Sequence, residues 1–408
     1  MRNTSPDRQP DFIGATGVTT ARPRPPSEPT LRLGSVTDFL GPGPRLQDLA
    51  EARNIRFTYS GRYAIYHALR SLASVTNRRV VLVPAFHCPT VVDPILHAGF
   101  RVRFYEVTTD LRACKPDFER KISAEVAAAV LIRYFGLPSG ADSLIEVCRT
   151  AGIMSIDDWS HSFLECNPLR LAQHGADVTI YSFKKLVPSQ SGGGAVAKDV
   201  PNWPSELKRS PLQDSTARLR ALWGNARAFR PSFRSPGDID SPVVKRLLEE
   251  SQPAIRRPAA IAYPYDSSLA ALRIPFSSRL ILARSPLQEV ADRRRRNYRL
   301  MTQALRFTSW IKAVNPDLPE ETCPWGLPTL LENRSAHDYQ LRALGVPLFT
   351  FGEVLHPALF ETHAGETRML ASSRYLADSL LALSIHQDLD ESFVGQSAQI
   401  INAYFARQ

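Results

Sequence analysis

Residues 176–198 read ADVTIYSFKKLVPSQSGGGAVAK, from Ala176 to Lys198. Val178–Phe183 is a β-branched and aromatic run bounded by turn signals, the pattern of a buried strand. It ends at Lys184-Lys185, crosses Pro188 and a polar turn, and reaches Gly192-Gly193-Gly194. A lysine just past a strand end, beside backbone that only glycine permits, is a place where a cofactor can be held covalently. The same residues also fit a surface turn with solvated lysines. What precedes them decides between the two.

Upstream, strands and helices alternate. Arg62–Leu72 carries Ala64, Ile65, Ala68, Leu69 and Leu72 on one helical face, and Val80–Val83 is a short apolar strand ended by Pro84. A helix near Thr90–Ala98 and a strand over Arg101–Val107 follow. Ala127–Phe135 is a continuous apolar run of the kind buried on both faces of a parallel sheet. Ser139–Ala151 reads as a helix stopped by Gly152, and Ile153–Asp157 as a strand running into acidic residues. This rhythm predicts a doubly wound, mostly parallel α/β sheet, whose ligands sit beyond the carboxyl ends of the strands.

Downstream the texture changes. Residues 200–280 are proline-rich, with short helical pieces such as Val243–Glu250, and read as connecting structure at the end of a large domain over 31–280. A long helix is predicted over Leu287–Leu305. Apolar patches at Leu327–Leu331 and Val346–Phe349, with helical patterns at Tyr375–Leu383 and Ser392–Phe405, make a smaller C-terminal α+β domain over 281–408. Residues 1–30, rich in proline and arginine, read as a disordered tail.

Of 408 residues, 43% are apolar and 22% charged, which suits a globular chain with a sizeable core. No run of eighteen apolar residues predicts a membrane helix, and no apolar h-region marks a secretory signal. Cys88, Cys114, Cys148, Cys166 and Cys323 form no CxxC pair, which points to a reducing, cytoplasmic setting with no metal site. Lys plus Arg (50) exceed Asp plus Glu (40), giving +10. That balance suits an anionic ligand such as a nucleotide, and also nucleic acid. The run Arg293–Arg296 lies within the long predicted helix, so a solvated helix face is expected instead of a nucleic-acid patch.

Three clusters fall at predicted strand ends. Ser60-Gly61-Arg62 opens a helix whose free N–H groups suit a phosphate, although Ser60 is equally an ordinary N-cap. Asp157 and Asp158 end a strand and must point in opposite directions, so only one can face a given site. A carboxylate there can keep a heteroaromatic nitrogen protonated, with His161 a turn away; a helix cap and a structural histidine are the plainer readings. Lys184 and Lys185 follow Ser182, whose hydroxyl could share the phosphate with Ser60. A phosphate cradle, a carboxylate for a ring nitrogen and a lysine for an aldehyde are what pyridoxal 5′-phosphate (PLP) asks for.

The ordered motifs over about 45–408 resemble the fold-type I PLP enzymes, and most closely the DegT/DnrJ/EryC1/StrS aminotransferases that act on nucleotide-linked sugars. The resemblance rests on Tyr59-Ser60-Gly61-Arg62-Tyr63-Ala64, Val83-Pro84-Ala85-Phe86-His87-Cys88 and Ile156-Asp157-Asp158-Trp159-Ser160-His161. It continues through Asp177-Val178, Ser182-Phe183, Lys185 and Gly193-Gly194, then Arg293–Leu300, Cys323-Pro324-Trp325 and Ser384-Ile385-His386-Gln387. It implies a large domain with a mostly parallel, seven-stranded type of sheet sandwiched by helices. Lys185 would hold the cofactor as a Schiff base; its Lys-x-x-Pro spacing to Pro188 selects it over Lys184. Asp158 would pair with the pyridinium nitrogen and His161 would lie near the phenolic oxygen. One of Phe86, His87 or Cys88 would lie against the ring, and Ser60, Gly61, Arg62 and Ser182 would hold the phosphate. The sequence departs from the family at Arg62, Trp159 and Gly192. Gly224-Asn225-Ala226-Arg227 is at best a remnant of the segment that a partner subunit contributes.

The reaction so implied moves an amino group, from glutamate, onto a keto-sugar carried by a nucleoside diphosphate, in polysaccharide or secondary-metabolite biosynthesis, with a homodimer as the working unit. Two rival readings are a different reaction on the same fold, such as sugar dehydration, and a non-catalytic binding or regulatory protein. Retention of Lys185 argues against the dehydratases, which typically lose that lysine. The absence of a helix-turn-helix or zinc motif argues against a nucleic-acid binder.

Overall fold

The computed structural model describes residues 43–216 and 265–408, apart from 199, 205 and 364, with a few isolated positions elsewhere. The tail over 1–30, Val243–Glu250 and Gly224–Arg227 lie outside the described residues.

The chain enters through β1 (Arg56–Thr58) and α1 (Gly61–Ala73), then β2 (Val80–Pro84), α2 (Pro89–His97), β3 (Arg101–Tyr105) and α3 (Lys115–Arg120). It continues through β4 (Val126–Ile132), α4 (Ala141–Ala151), β5 (Met154–Trp159), the hairpin β6 (Leu164–Cys166) and β7 (Leu169–Leu171), β8 (Val178–Ser182) and β9 (Gly193–Ala197). Seven of these strands form one sheet in the order β1-β9-β8-β5-β4-β2-β3. The pairs joining β3, β2, β4, β5 and β8 are parallel, while β9 runs antiparallel to both β8 and β1. β2, β4 and β8 are buried at every position, as strands covered on both faces must be.

This topology brings the functional segments to one edge. Because β1 and β8 both flank β9, Thr58, Gly193 and Ser182 share a row of the sheet. Asp158 pairs with Ile180 and Trp159 with Tyr181 along the β5–β8 ladder, two rows and one row from the end. Ser60-Gly61, Asp158 and Lys185 therefore lie at the carboxyl edge of one sheet.

The second part holds α5 (Phe276–Arg284), α6 (Leu287–Ala304), β10 (Ile311–Ala313), β11 (Gly326–Leu331), α7 (Arg334–Ala343), β12 (Leu348–Phe349) and α8 (Ala358–Thr362). It ends with α9 (Thr367–Ser379), β13 (Leu380–Ser384) and α10 (Glu391–Phe405). Its four-stranded antiparallel sheet has the order β10-β11-β13-β12. α10 is capped by Asp390, whose carboxylate accepts the Phe393 N–H at 2.7 Å. One apolar core runs from α1, α2 and β4 into β11, β13 and α10, so the two sheets share an interior.

Several expectations shift. β4 stops at Ile132, not Phe135: Phe135 adopts a left-handed backbone (φ 57°) and turns the chain, although the run stays buried throughout. Apolar continuity reported burial there, not strand. β5 extends through Asp158 to Trp159. The apolar stretch Leu380–Leu383 belongs to β13 and not to the preceding helix, since it pairs with β11 from Gly326 to Leu330. The arginine run also differs from a wholly solvated face. Arg293 and Arg296 form surface ion pairs with Glu289 and Glu391, but Arg294 is fully buried and Arg295 nearly so.

The closest backbone approach tests this arrangement. A Cβ added to Gly193 would sit 2.2 Å from the Gly61 nitrogen and the Ser60 carbonyl carbon, whereas one added to Gly395 on α10 meets nothing within 4 Å. Gly193→Ala should destabilise the fold by about 2 kcal/mol or more, the scale of overpacking. Gly395→Ala should stabilise by about 0.5–1 kcal/mol through helix propensity. Thermal or urea unfolding of both variants checks the pair.

Candidate active site

The site begins with the pleat of β5. Asp157, fully buried, accepts Nε and Nη2 of Arg133 at 2.9 and 3.0 Å and the Trp159 indole N–H at 2.8 Å. Arg133 also bridges both oxygens of Asp142, at 2.7 and 2.9 Å. His174 continues the network, with Nδ1 on Asp142 at 2.9 Å and Nε2 on Glu165 at 2.7 Å, its ring stacked on Trp159 with centroids 5.1 Å apart. Asp157 is thus a structural anion, satisfied as a buried charge must be.

Asp158 takes the opposite direction. It is buried, and its Oδ1 accepts the Ser160 N–H at 2.8 Å. Burial pushes its carboxyl above the ordinary carboxylate range, against the hydrogen bonds from Ser160 and the charge of Lys185. Of the two adjacent acids, Asp158 is the one that shares an environment with the lysine.

Lys185 ends a single 3₁₀ turn, Phe183–Lys185, that leaves β8. Its Nζ lies 4.3 Å from the centroid of the Trp325 ring and 5.9 Å from that of Phe351, within cation–π range of both. His161 packs against the same two rings, at 4.6 and 4.5 Å. Its Nδ1 accepts the Phe135 N–H at 2.9 Å, which fixes the proton of the neutral ring on Nε2. Burial, then the nearby Lys185 charge, hold His161 well below its usual pKa, so it is a neutral hydrogen-bond donor here.

The N-terminus of α1 closes the third side. Ser60 is extended (φ −157°, ψ 169°) and caps the helix without a side-chain hydrogen bond. A Cβ on Gly61 would lie 3.2 Å from both Ser160 Oγ and the Tyr181 carbonyl, so the helix start touches the ends of β5 and β8. Ser182 is nearly buried at the end of β8, and Arg62 occupies the first turn of α1.

Phe86, His87 and Cys88 divide. Phe86 meets Phe351 edge-on at 5.5 Å and Tyr134 at 5.8 Å, one ring removed from Lys185. His87 is fully buried and stacked on Phe104; its Nδ1 faces the Pro84 and Ala85 carbonyls and its Nε2 accepts the His356 N–H. Burial pushes it down to about 4, and its polar atoms serve the wall between sheet and small domain. Cys88 precedes α2, its Sγ 3.1 Å from Thr90 Oγ1. Sequence reading did not single out Ser160, Phe135 or Phe351 for the site, and noted Trp325 only as a landmark. Phe135 was hidden inside an apolar run, and Phe351 arrives from a distant loop that carries no motif.

With this geometry in hand, comparison with known proteins is informative. Residues 45–209 match the model of the DegT/DnrJ/EryC1/StrS aminotransferase family. Over this stretch the chain is similar to that family. A search of the curated proteins found no match. Among solved structures, the chain is similar to Helicobacter pylori PseC, an aminotransferase involved in the biosynthesis of pseudoaminic acid. Identity is 14%, coverage 94% of this chain and 100% of that one, and the TM-score 0.62. It is also similar to the sugar aminotransferase CalS13 from Micromonospora echinospora, at 17% identity, 93% and 99% coverage and TM-score 0.62. DesI, solved in the presence of its TDP-sugar product, gives 17%, 95% and 94%, and 0.61. At these identities the likeness is one of fold, and that fold is the one of PLP-dependent aminotransferases.

The ionic network beside the site sets a pH dependence. Hydrogen bonds to Asp142 and Glu165 raise His174 to about 9. Its stabilisation is therefore complete below the unfolded value near 6.5 and is lost as pH rises through about 9. His174→Gln should flatten the fall in unfolding free energy between pH 7 and 10, by about 2 kcal/mol after allowance for solvent at Asp142. Urea titrations of both proteins across that range measure it; an equally steep fall in the variant would show that His174 is not the titrating group.

Proposed function

We propose that the protein is a PLP-dependent aminotransferase that transfers an amino group from glutamate to a keto-sugar linked to a nucleoside diphosphate. The observation that carries this reading is the meeting of half-buried Lys185 with buried Asp158 and neutral, buried His161 beside the α1 N-terminus, on a chain whose residues 45–209 match the model of this family. The residues fit the cofactor. Asp158 stays protonation-prone even with Ser160 and Lys185 near it, so a protonated ring nitrogen would supply the counter-charge that burial demands. The first amides of α1, with Ser60, Ser182 and Arg62, suit its phosphate. Phe86 is the best placed of the three strand-end residues to reach the ring, because it alone joins the aromatic group around Lys185.

When bound, PLP supplies an aldehyde for amine exchange and an electron sink. This chain's residues supply the remainder. Lys185 Nζ would be the covalent anchor, and its free amine would be the group that takes up and returns a proton. Asp158 would hold a positive ring nitrogen by a charge-assisted hydrogen bond. The Nε2–H of His161 donates a hydrogen bond without adding charge, because its Nδ1 is occupied by Phe135. Trp325 and Phe351 give the half-buried amine an apolar wall, and with Phe135 they enclose His161, which strengthens the charge interactions beside them.

The sugar-nucleotide substrate is supported by the family and by what its neighbours are said to make or hold, and the basic balance of the chain suits such an anion. In this reading the protein works as a cytoplasmic homodimer. Among the described residues no helix is long and apolar enough to cross a membrane, and the five cysteines are free.

Incubating the purified protein with PLP, reducing it with borohydride and sequencing its peptides by mass spectrometry should find the pyridoxyl group on Lys185. Lys185→Ala should lose the adduct, and Lys184→Ala should keep it. Adding glutamate and a panel of nucleotide keto-sugars should yield 2-oxoglutarate and one aminated sugar. An adduct on Lys184, or none, would contradict the assignment.

A further inference from the structure

Arg294 is the largest fully buried side chain among the described residues, yet the transfer of an amino group gives it no task. It lies on α6, in the small domain. Nε donates to Gln387 Oε1 at 2.9 Å, and Nη1 to the carbonyls of Pro324 and Trp325 at 3.2 and 3.0 Å. Nη2 crosses to the large domain and donates to the carbonyls of Lys185 and Leu186 at 3.1 and 3.5 Å. Gln387 completes the clasp: its Nε2 donates to the Leu186 carbonyl at 2.9 Å.

We propose that Arg294 is a positioning residue for Lys185: its guanidinium fastens the turn that carries Lys185 to the segment that carries Trp325, and so holds the lysine amine against that indole and facing Asp158. The turn needs such a donor. Phe183–Lys185 is only one turn long, and the amides of Leu186 and Val187 fold back on the Phe183 carbonyl. Two of the carbonyls that follow, those of Lys185 and Leu186, accept from the buried guanidinium, where an unpaired acceptor is costly. A planar fork with five donors in fixed directions meets acceptors from two domains at once. A lysine, with three donors on one atom, cannot span the same set. Trp325 gains from the same hand: its carbonyl is held by Nη1, its N–H donates to the Phe135 carbonyl, and Phe135 in turn holds His161. The guanidinium touches neither substrate nor cofactor in this account. It acts through the backbone of Lys185 and Trp325.

The inference takes its interest from Lys185 as the cofactor lysine, but its test does not depend on that reading. In the full-length protein without added cofactor, trace acetylation across pH measures the reactivity of Lys185 against Lys184, its adjacent internal control, by tandem mass spectrometry. In Arg294→Lys, folded by circular dichroism, the Lys185:Lys184 ratio should change at least about fivefold, the low end of what one unpaired buried acceptor costs. The pH midpoint should move for Lys185 and stay for Lys184. PLP affinity should weaken in parallel. A folded variant whose ratio and midpoint stay within about a factor of two of the parent would overturn the proposal, because a purely structural arginine lowers stability without singling out Lys185. If Arg294→Lys does not fold, Gln387→Met, which removes half of the clasp, is judged by the same two numbers. If borohydride trapping fails while the ratio changes, the cofactor assignment is wrong and the positioning role stands.

Discussion

Two carboxylates in succession lie near the end of β5, both buried, and the rest of the site depends on how they part. A buried carboxylate costs several kcal/mol unless it is paired and hydrogen-bonded. Asp157 meets that demand within the fold, through Arg133 and the Trp159 indole. Asp158 meets it incompletely: Ser160 and Lys185 stabilise its charge, and burial still outweighs them. The fold thus spends a fully formed ion network on one acid and leaves the other in want of a cation. Such a local conflict between burial and charge is where function is expected.

The walls keep that demand sharp. Trp325 and Phe351 come from the chain after α6 and Phe135 from the turn after β4; together they surround His161 and, except for Phe135, face the Lys185 amine. Buried among these rings, His161 is neutral and its tautomer is fixed by one backbone amide. The site is therefore built by residues that follow both sheets' strands, from Phe135 to Phe351. The contacts of α6 with the Lys185 turn tie the second part of the chain to this edge of the large sheet.

Much of this was legible in the sequence, and for physical reasons. The β-branched run Val178–Phe183 and the alternating apolar segments gave the sheet, because burial on both faces leaves a continuous apolar signature. The register that brings Ser60, Asp158 and Lys185 to one edge follows from parallel strands ending alike. What hid from view came from long-range packing. Phe135 reads as strand until its left-handed turn is seen, and Arg294 reads as one of four solvated arginines until its carbonyl acceptors are found. Leu380–Leu383 reads as helix because an apolar run has no period of its own, and pairing with β11 decides it. His87 and Phe86 are neighbours in sequence, but one turns to the Pro84 and His356 backbone and the other to the aromatic wall.

The central claim is that Asp158, and not Asp157, awaits the positive charge of a bound ring. Calorimetric titration of PLP into the parent protein and into Asp158→Asn tests it most directly. The account predicts a loss in affinity of about ten- to a hundredfold, the worth of a charge-assisted hydrogen bond in a buried site, with the fold intact by circular dichroism. Equal affinity for PLP in the two proteins would contradict it.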